Sequence, residues 1–182
     1  MDSFDTFLLW IADFLGKHLY EGIFLAALLE TIFPPIPTLA VFPTAGFIAS
    51  QQGMTLYEVV PMIFLGALGA TIGSSAIYFI ALKLGRAVLL RYLKYVRVSE
   101  KKLERVETWF EKYGDKAVLL GRVVPVMREM ISIPAGLLQM KTLKFLLYTF
   151  VGSCIWSAGT IIAGYYFGEA IGLGTSHISS QP

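Results

Sequence analysis

The chain has 182 residues, of which 55% are hydrophobic and only 15% charged, with a mean hydropathy of +0.65. A soluble domain carries about 25% charged residues, so a soluble single-domain enzyme is excluded and a small all-α integral membrane protein is indicated. A formal net charge of +2 leaves no general footprint for nucleic acid, which is not expected as a partner. Cys154 is the one cysteine, so no disulfide can form within the chain.

The start, Met1-Asp2-Ser3-Phe4-Asp5, is acidic and lacks the cleavage site of a secretory signal. The stretch 4–17 is too short to span and carries Asp5 and Asp13, so residues 1–18 are read as an interfacial helix. Three longer stretches, 31–57, 59–82 and 145–168, are free of charge and exceed the roughly 18 residues that mark a span. The first cannot be one helix. Pro34, Pro35, Pro37 and Pro43 each remove a backbone donor and crowd the preceding turn. Arms of about 12 to 15 residues cannot cross a core of roughly 30 Å, so residues 19–50 predict a re-entrant hairpin broken at the prolines and Gly46. Two short helices joined by a loop outside the membrane are the alternative.

Residues 56–85 predict a transmembrane helix whose Gly66, Gly69, Ala70 and Gly73 allow close helix contact. Ten of the fifteen basic residues fall between Lys83 and Lys116, which places the basic segment 86–114 in the cytoplasm. Within it, Ser99 can cap an amphipathic helix ending at Tyr113, with Gly114 as its stop. Leu103, Val106, Phe110 and Tyr113 share one face of that helix. It is either a membrane-surface helix or a connector with one buried stripe. Residues 115–138 predict a second re-entrant hairpin, broken at Pro125, Pro134 and Gly136, with apolar arms 117–124 and 130–140. A second transmembrane helix follows at 141–170, then a tail at 171–182.

The halves echo each other. Thr44-Ala45-Gly46-Phe47-Ile48 with Met54-Thr55-Leu56 precedes the first span. Pro134-Ala135-Gly136-Leu137-Leu138 with Met140-Lys141-Thr142-Leu143 precedes the second. One helix crosses between the copies, so a hairpin-plus-helix repeat must be inverted, as in transporters whose broken helices meet near the midplane.

Ionisable residues in the apolar parts are Glu30, Arg122, Arg128 and Glu129. A charge at the bilayer centre costs about 2.5–3.5 kcal/mol on insertion scales, so it faces a cavity or a partner. Arg122 and Arg128 are six apart and fall on different faces of a continuous helix; the break at Pro125 can bring them together. Their guanidinium forks suit phosphate, which makes a lipid phosphate the expected ligand. Glu30 or Glu129 can carry a proton, since burial raises a carboxylate's pKa. Internal ion pairing that locks the hairpins is the competing role. The sequence has no Cys/His cluster at metal spacing, no phosphate loop and no Ser/His/Asp set, so no enzyme activity, metal or cofactor is expected.

These motifs resemble the DedA family, also called SNARE-associated or VTT-domain proteins. Glu30-x-x-x-Pro34-Pro35-x-Pro37 with Ala45-Gly46 is similar to the family's first hairpin. Gly121-Arg122-x-x-Pro125-x-x-Arg128 followed by Pro134-Ala135-Gly136 is similar to its second. The resemblance covers residues 20–170 and implies two facing re-entrant hairpins that transport or scramble lipids. In bacterial members it implies movement of undecaprenyl phosphate or phospholipid across the cell membrane, often tied to the proton gradient. Leu39 and Ser74 stand where the family often carries acids, so the resemblance implies anionic-lipid binding more firmly than proton coupling. A proton-coupled carrier of a soluble solute and a non-transporting membrane scaffold are the alternatives, and a homo-oligomer is left open.

Overall fold

The structure is a computed structural model that describes residues 14–32, 38–95 and 100–179; for 31, 32, 38, 84–95, 100–103, 126, 129 and 171–179 it describes only the backbone. After a helical turn at 14–17, the described residues form α1 (Leu19–Ile32), α2 (Thr38–Gln51), α3 (Leu56–Tyr95) and α4 (Glu100–Tyr113). They continue with α5 (Lys116–Val123), α6 (Pro125–Met130), α7 (Ser132–Leu137) and α8 (Thr142–Ser179). No strand occurs among the described residues. Pro34, Pro35 and Pro37 lie outside them.

Local chemistry sets the boundaries. Glu58 Oε2 accepts hydrogen bonds from the Thr55 backbone N–H (2.7 Å) and hydroxyl (2.8 Å), tying the entry to α3. At the end of α2, the Gly53 N–H donates to the Ser50 carbonyl and the Met54 N–H to that of Ala49, with Gly53 at φ +72. The end of α7 repeats this turn. There the Gln139 N–H donates to the Gly136 carbonyl and the Met140 N–H to that of Ala135, with Gln139 at φ +53. Gly114, at φ +56, ends α4 as expected.

The candidate spans Leu56–Lys83 and Thr142–Ala170 fall within the expected 56–85 and 141–170, and the helices that carry them run on, α3 to Tyr95 and α8 to Ser179. Ala87, Leu89, Leu90, Arg91, Leu93 and Lys94 are all good helix formers, so the charges end the apolar stretch and not the helix. The breaks need correction: α5 and α7 occupy the two arms expected at 117–124 and 130–140, and a third short helix, α6, fills the interval between them. Val124 is extended (φ −99, ψ 121), as the residue before a proline tends to be, and Pro125 opens α6. Pro134 lies in the first turn of α7 and breaks nothing. Gly46 and Gly136 lie inside α2 and α7. They are sites of close approach: an added Cβ at Gly46 would strike the Ile161 carbonyl oxygen, and one at Gly136 would come within 2.5 Å of that of Tyr78.

Packing exchanges partners between the halves. α1 runs along α3 and α2 along α8; α5 runs along α8 and α7 along α3; α3 and α8 cross each other. One apolar cluster gathers Leu19, Ile23, Phe42, Ala45, Val59 and Ile161 around the first hairpin. The other gathers Tyr78, Phe110, Val118, Ile131, Ala135 and Phe145 around the second. In α4, Val106 and Phe110 are buried in this second cluster, while Tyr113 is exposed.

Outside this core, both long helices show apolar stripes to their surroundings. Val60, Phe64, Leu68 and Ile72 recur every four residues on α3, and Leu143, Leu147, Val151 and Ile155 do so on α8. Leu56–Lys83 and Thr142–Ala170 are long and apolar enough to cross a membrane. At 28 and 29 residues they reach about 42–44 Å as helices, more than the roughly 30 Å hydrocarbon core. Continuous outward stripes of this kind are what lipid, and not water, accommodates.

Candidate functional site

Buried polar side chains are Glu30, Ser74, Arg122, Arg128, Ser132, Thr149, Ser153 and Ser157. Glu30 closes α1, Ser74 lies in α3, and Arg122, Arg128 and Ser132 come from α5, α6 and α7. Thr149, Ser153 and Ser157 recur every fourth residue along the inner face of α8. The outer stripe of α8 is entirely apolar, so this helix divides sharply between a lipid-compatible face and a polar one.

Three charges dominate this group. Glu30, Arg122 and Arg128 are 6%, 3% and 7% exposed. Arg128 reaches from the second hairpin to the first, donating from one terminal nitrogen to Glu30 Oε2 at 2.8 Å. Its guanidinium carbon also lies 4.8 Å from the centre of the Trp156 ring, a cation–π contact. Arg122 donates to the backbone carbonyl of Arg128 at 2.9 Å and to the Ser132 hydroxyl at 2.8 Å. The extended Val124 lets this happen: it turns α6 back so that a side chain from α5 caps the carbonyl of a residue six positions on. Gly152 makes room for Arg122, since an added Cβ there would lie 2.6 Å from Arg122 Cβ.

The structure therefore brings together Glu30, Arg122 and Arg128. The Glu129 side chain and the three prolines of the first turn lie outside the described residues. Sequence reasoning missed Ser132, Thr149 and Trp156. The signal for Thr149 was present as a four-residue recurrence of hydroxyls, Thr149, Ser153 and Ser157, within an apolar span, and Trp156 gave none. Ser132, two residues before Pro134, gave no periodic signal.

Chemically, the site holds two guanidinium groups and one carboxylate among its described buried side chains, all reached from both hairpins. A bidentate donor fork favours a carboxylate or a phosphate. Glu30 is the carboxylate already engaged. No group of three or more His, Cys, Asp or Glu side chains among the described residues could hold a metal ion.

The VTT domain family model matches residues 35–166, well over half of the chain. Undecaprenyl phosphate transporter A of Staphylococcus aureus is 28% identical over 167 residues, covering 90% of this chain and 81% of that protein. The Bacillus subtilis protein of the same name is 33% identical over 150 residues, covering 82% and 72%. An alkaline phosphatase-like protein of Lactococcus lactis is 30% identical over 164 residues, covering 87% and 75%. No solved structure matches. The transporter names, the family model and the two apolar long helices make this a membrane protein of a transporter family and not an enzyme. The chain belongs to the VTT-domain, or DedA, family.

Proposed function

We propose that this protein moves a phosphate-bearing lipid across the bacterial cell membrane, with undecaprenyl phosphate, the substrate in its relatives' names, as the first candidate. One observation carries the reading: Arg128 bridges the two hairpins through a buried carboxylate, Glu30, while Arg122 beside it donates to neutral acceptors. A lipid phosphate that enters the seam can replace Glu30 on the Arg128 fork, because both ligands present two oxygens in a plane. Protonation of Glu30 weakens its hold on Arg128 and favours that exchange, which gives a route for proton coupling. The scaffold alternative requires a site whose charges are matched internally. Two buried guanidinium groups against one described carboxylate favour an anionic substrate instead.

The exchange of packing partners between halves supports an inverted repeat. The entering arm of each hairpin lies on its own long helix and the returning arm on the other. Rocking one half against the other would then open the Glu30–Arg128 contact toward either side in turn. On the positive-inside rule the segment 86–116 faces the cytoplasm, which puts the first hairpin on the outer side and the second on the inner.

The test is movement of labelled lipid phosphate in proteoliposomes, scored by headgroup accessibility. Arg128→Lys should abolish most movement although its charge is kept, because the bidentate geometry is lost. Arg122→Lys should weaken it, and Glu30→Gln should remove any dependence on pH. Thermal melting of each variant checks folding separately. Full activity in the double Arg122→Lys, Arg128→Lys variant sinks the phosphate exchange.

A further inference from the structure

Among the described residues five buried side-chain polar atoms lack a hydrogen-bond partner; Trp109 Nε1 lies in α4, and the other four, Ser74 Oγ, Arg122 Nε, Thr149 Oγ1 and Trp156 Nε1, belong to the seam. Buried polar groups are nearly always paired, and each that is not costs stability. Four in one place call for a physical reason.

They share one surface. Thr149, Gly152 and Trp156 stand at i, i+3 and i+7, one stripe of α8. Gly152 abuts Arg122, and the Trp156 ring faces the Arg128 guanidinium. Two anchors fix α8 against α3. Tyr78 stacks on Phe145 with centroids 4.2 Å apart, and an added Cβ at Gly66 would lie 3.1 Å from Ser157 Oγ. From Gly66 to Ser74 is eight residues along α3, and from Ser157 back to Thr149 is eight along α8. Counted from these anchors, Ser74 and Thr149 lie on facing stretches of the two antiparallel helices.

Other hydroxyls of these two helices behave differently. Thr71 donates to the Ala67 carbonyl at 2.7 Å, Ser75 to that of Thr71 at 2.6 Å, and Thr160 to that of Trp156 at 2.8 Å. A helical Ser or Thr ordinarily satisfies itself in this way. Ser74, next to Ser75, does not, and neither does Thr149. The four unpartnered groups can also all act as donors at once. Indole and guanidinium N–H groups only donate, and hydroxyls can donate. What satisfies all four is rich in acceptors, and two buried guanidinium groups against one described carboxylate ask for it to be negative.

We propose that Ser74, Thr149 and Trp156 join Arg122 Nε in a donor-only oxyanion site between α3 and α8, which takes the phosphate monoester itself. The inference rests on the lipid-phosphate reading and deepens it. The arginines supply charge and the long helices supply neutral donors for the remaining phosphate oxygens. A carboxylate, with two oxygens, fills such a set less completely than a phosphate with three. The donor set therefore determines specificity.

The experiment is a thermal-shift titration of the purified full chain in detergent with decyl phosphate, inorganic phosphate and decanol. Decyl phosphate should raise the melting temperature saturably and decanol should not. Thr149→Val and Ser74→Ala should each weaken decyl phosphate at least tenfold, the loss of one charge-assisted hydrogen bond. Both should leave the ligand-free melting temperature unchanged or higher, because an unsatisfied group is removed. Trp156→Phe, which keeps a ring against Arg128, should weaken binding similarly. Thr71→Val and Ser75→Ala, whose hydroxyls bond to their own helix, should stay within twofold. Equal affinity for inorganic phosphate keeps the donor set and assigns it to the free anion. Binding lost in Arg128→Lys but kept in Ser74→Ala and Thr149→Val overturns the donor set alone. A lower ligand-free melting temperature with unchanged affinity in those variants also overturns it, since the hydroxyls then serve structural water. No response of the wild-type protein to either phosphate overturns this site and the lipid-phosphate reading together.

Discussion

The first hairpin and the second end alike and are built differently between. Each returning arm closes on the same turn, and the Met that completes the turn accepts a tyrosine hydroxyl from the other half. Tyr165 of α8 donates to the Met54 carbonyl at 2.7 Å, and Tyr78 of α3 donates to that of Met140. Yet the first hairpin's returning arm is one 14-residue helix that tolerates Pro43 within it. In the second, an eight-residue entering helix is followed by two helices of six residues each, with Val124 and Ile131 between them. The first brings one described buried charge, Glu30, and the second brings two, Arg122 and Arg128. Symmetry therefore holds where the halves grip each other's long helix, and is broken where they meet at the charges. A shared scaffold can carry unequal chemistry when the difference is confined to the segment facing the seam.

The largest effect should come from cutting the contact between the halves. Removing one partner of a buried ion pair costs about 3–5 kcal/mol, because the other is left charged and unsolvated. The two sides are not equivalent. A stranded carboxylate can take a proton, whereas a guanidinium stays charged. Glu30→Leu, which takes the carboxylate away from an Arg128 that keeps its charge, should therefore cost more than Arg128→Leu. The double variant should cost less than the sum of the two. Unfolding of the four proteins by denaturant in mixed micelles gives this cycle. Equal single costs that add in the double variant would mean that the 2.8 Å pair does not couple the hairpins.

Much of this arrangement was legible in the sequence. Composition gave an all-helical chain with two apolar long helices, Pro125 gave the boundary between α5 and α6, and Glu30, Arg122 and Arg128 were the buried charges with nowhere else to go. What periodicity could not supply was tertiary. Gly46 and Gly136 read as breaks because glycine weakens an isolated helix, but here it lets a neighbouring backbone approach. That the helices continue to 95 and 179 was hidden because charge marks where lipid stops and says nothing about the hydrogen-bonded ladder. Ser132 and Trp156 matter only through what they face, and facing is decided by the turn at Val124 and the crossing of α3 with α8.

A middle-sized effect should distinguish the two tyrosine contacts. Tyr78 is buried, stacked on Phe145, and lies 3.3 Å from the Thr142 hydroxyl. Tyr78→Phe leaves the Met140 carbonyl without its donor away from solvent, at a cost of about 1–3 kcal/mol. Tyr165 is part-buried at the edge of an open cleft of about 380 Å³ that Met54 also lines. Water can replace its hydroxyl there, so Tyr165→Phe should cost about 0.5–1 kcal/mol. Melting temperatures in detergent rank the two, and a larger drop for Tyr165→Phe would reverse the assignment of which half is the drier.

The smallest effect tests the turns themselves. Gly53 and Gln139 occupy the same left-handed position, at φ +72 and φ +53, and both are exposed. An L side chain in that region costs about 1–2 kcal/mol, which glycine avoids. Glycine gives back about 0.5–1 kcal/mol through the greater freedom of its unfolded chain. The balance favours glycine by about 0.5 kcal/mol. Gln139→Gly should therefore raise stability slightly, and Gly53→Gln should lower it by a similar amount. Space is not the issue at position 53, where an added Cβ would meet nothing within 4 Å. Calorimetric melting of both variants gives opposite signs if backbone conformation alone separates the two turns. The same sign in both would mean that the Gln139 side chain makes a contribution that the turn geometry does not contain.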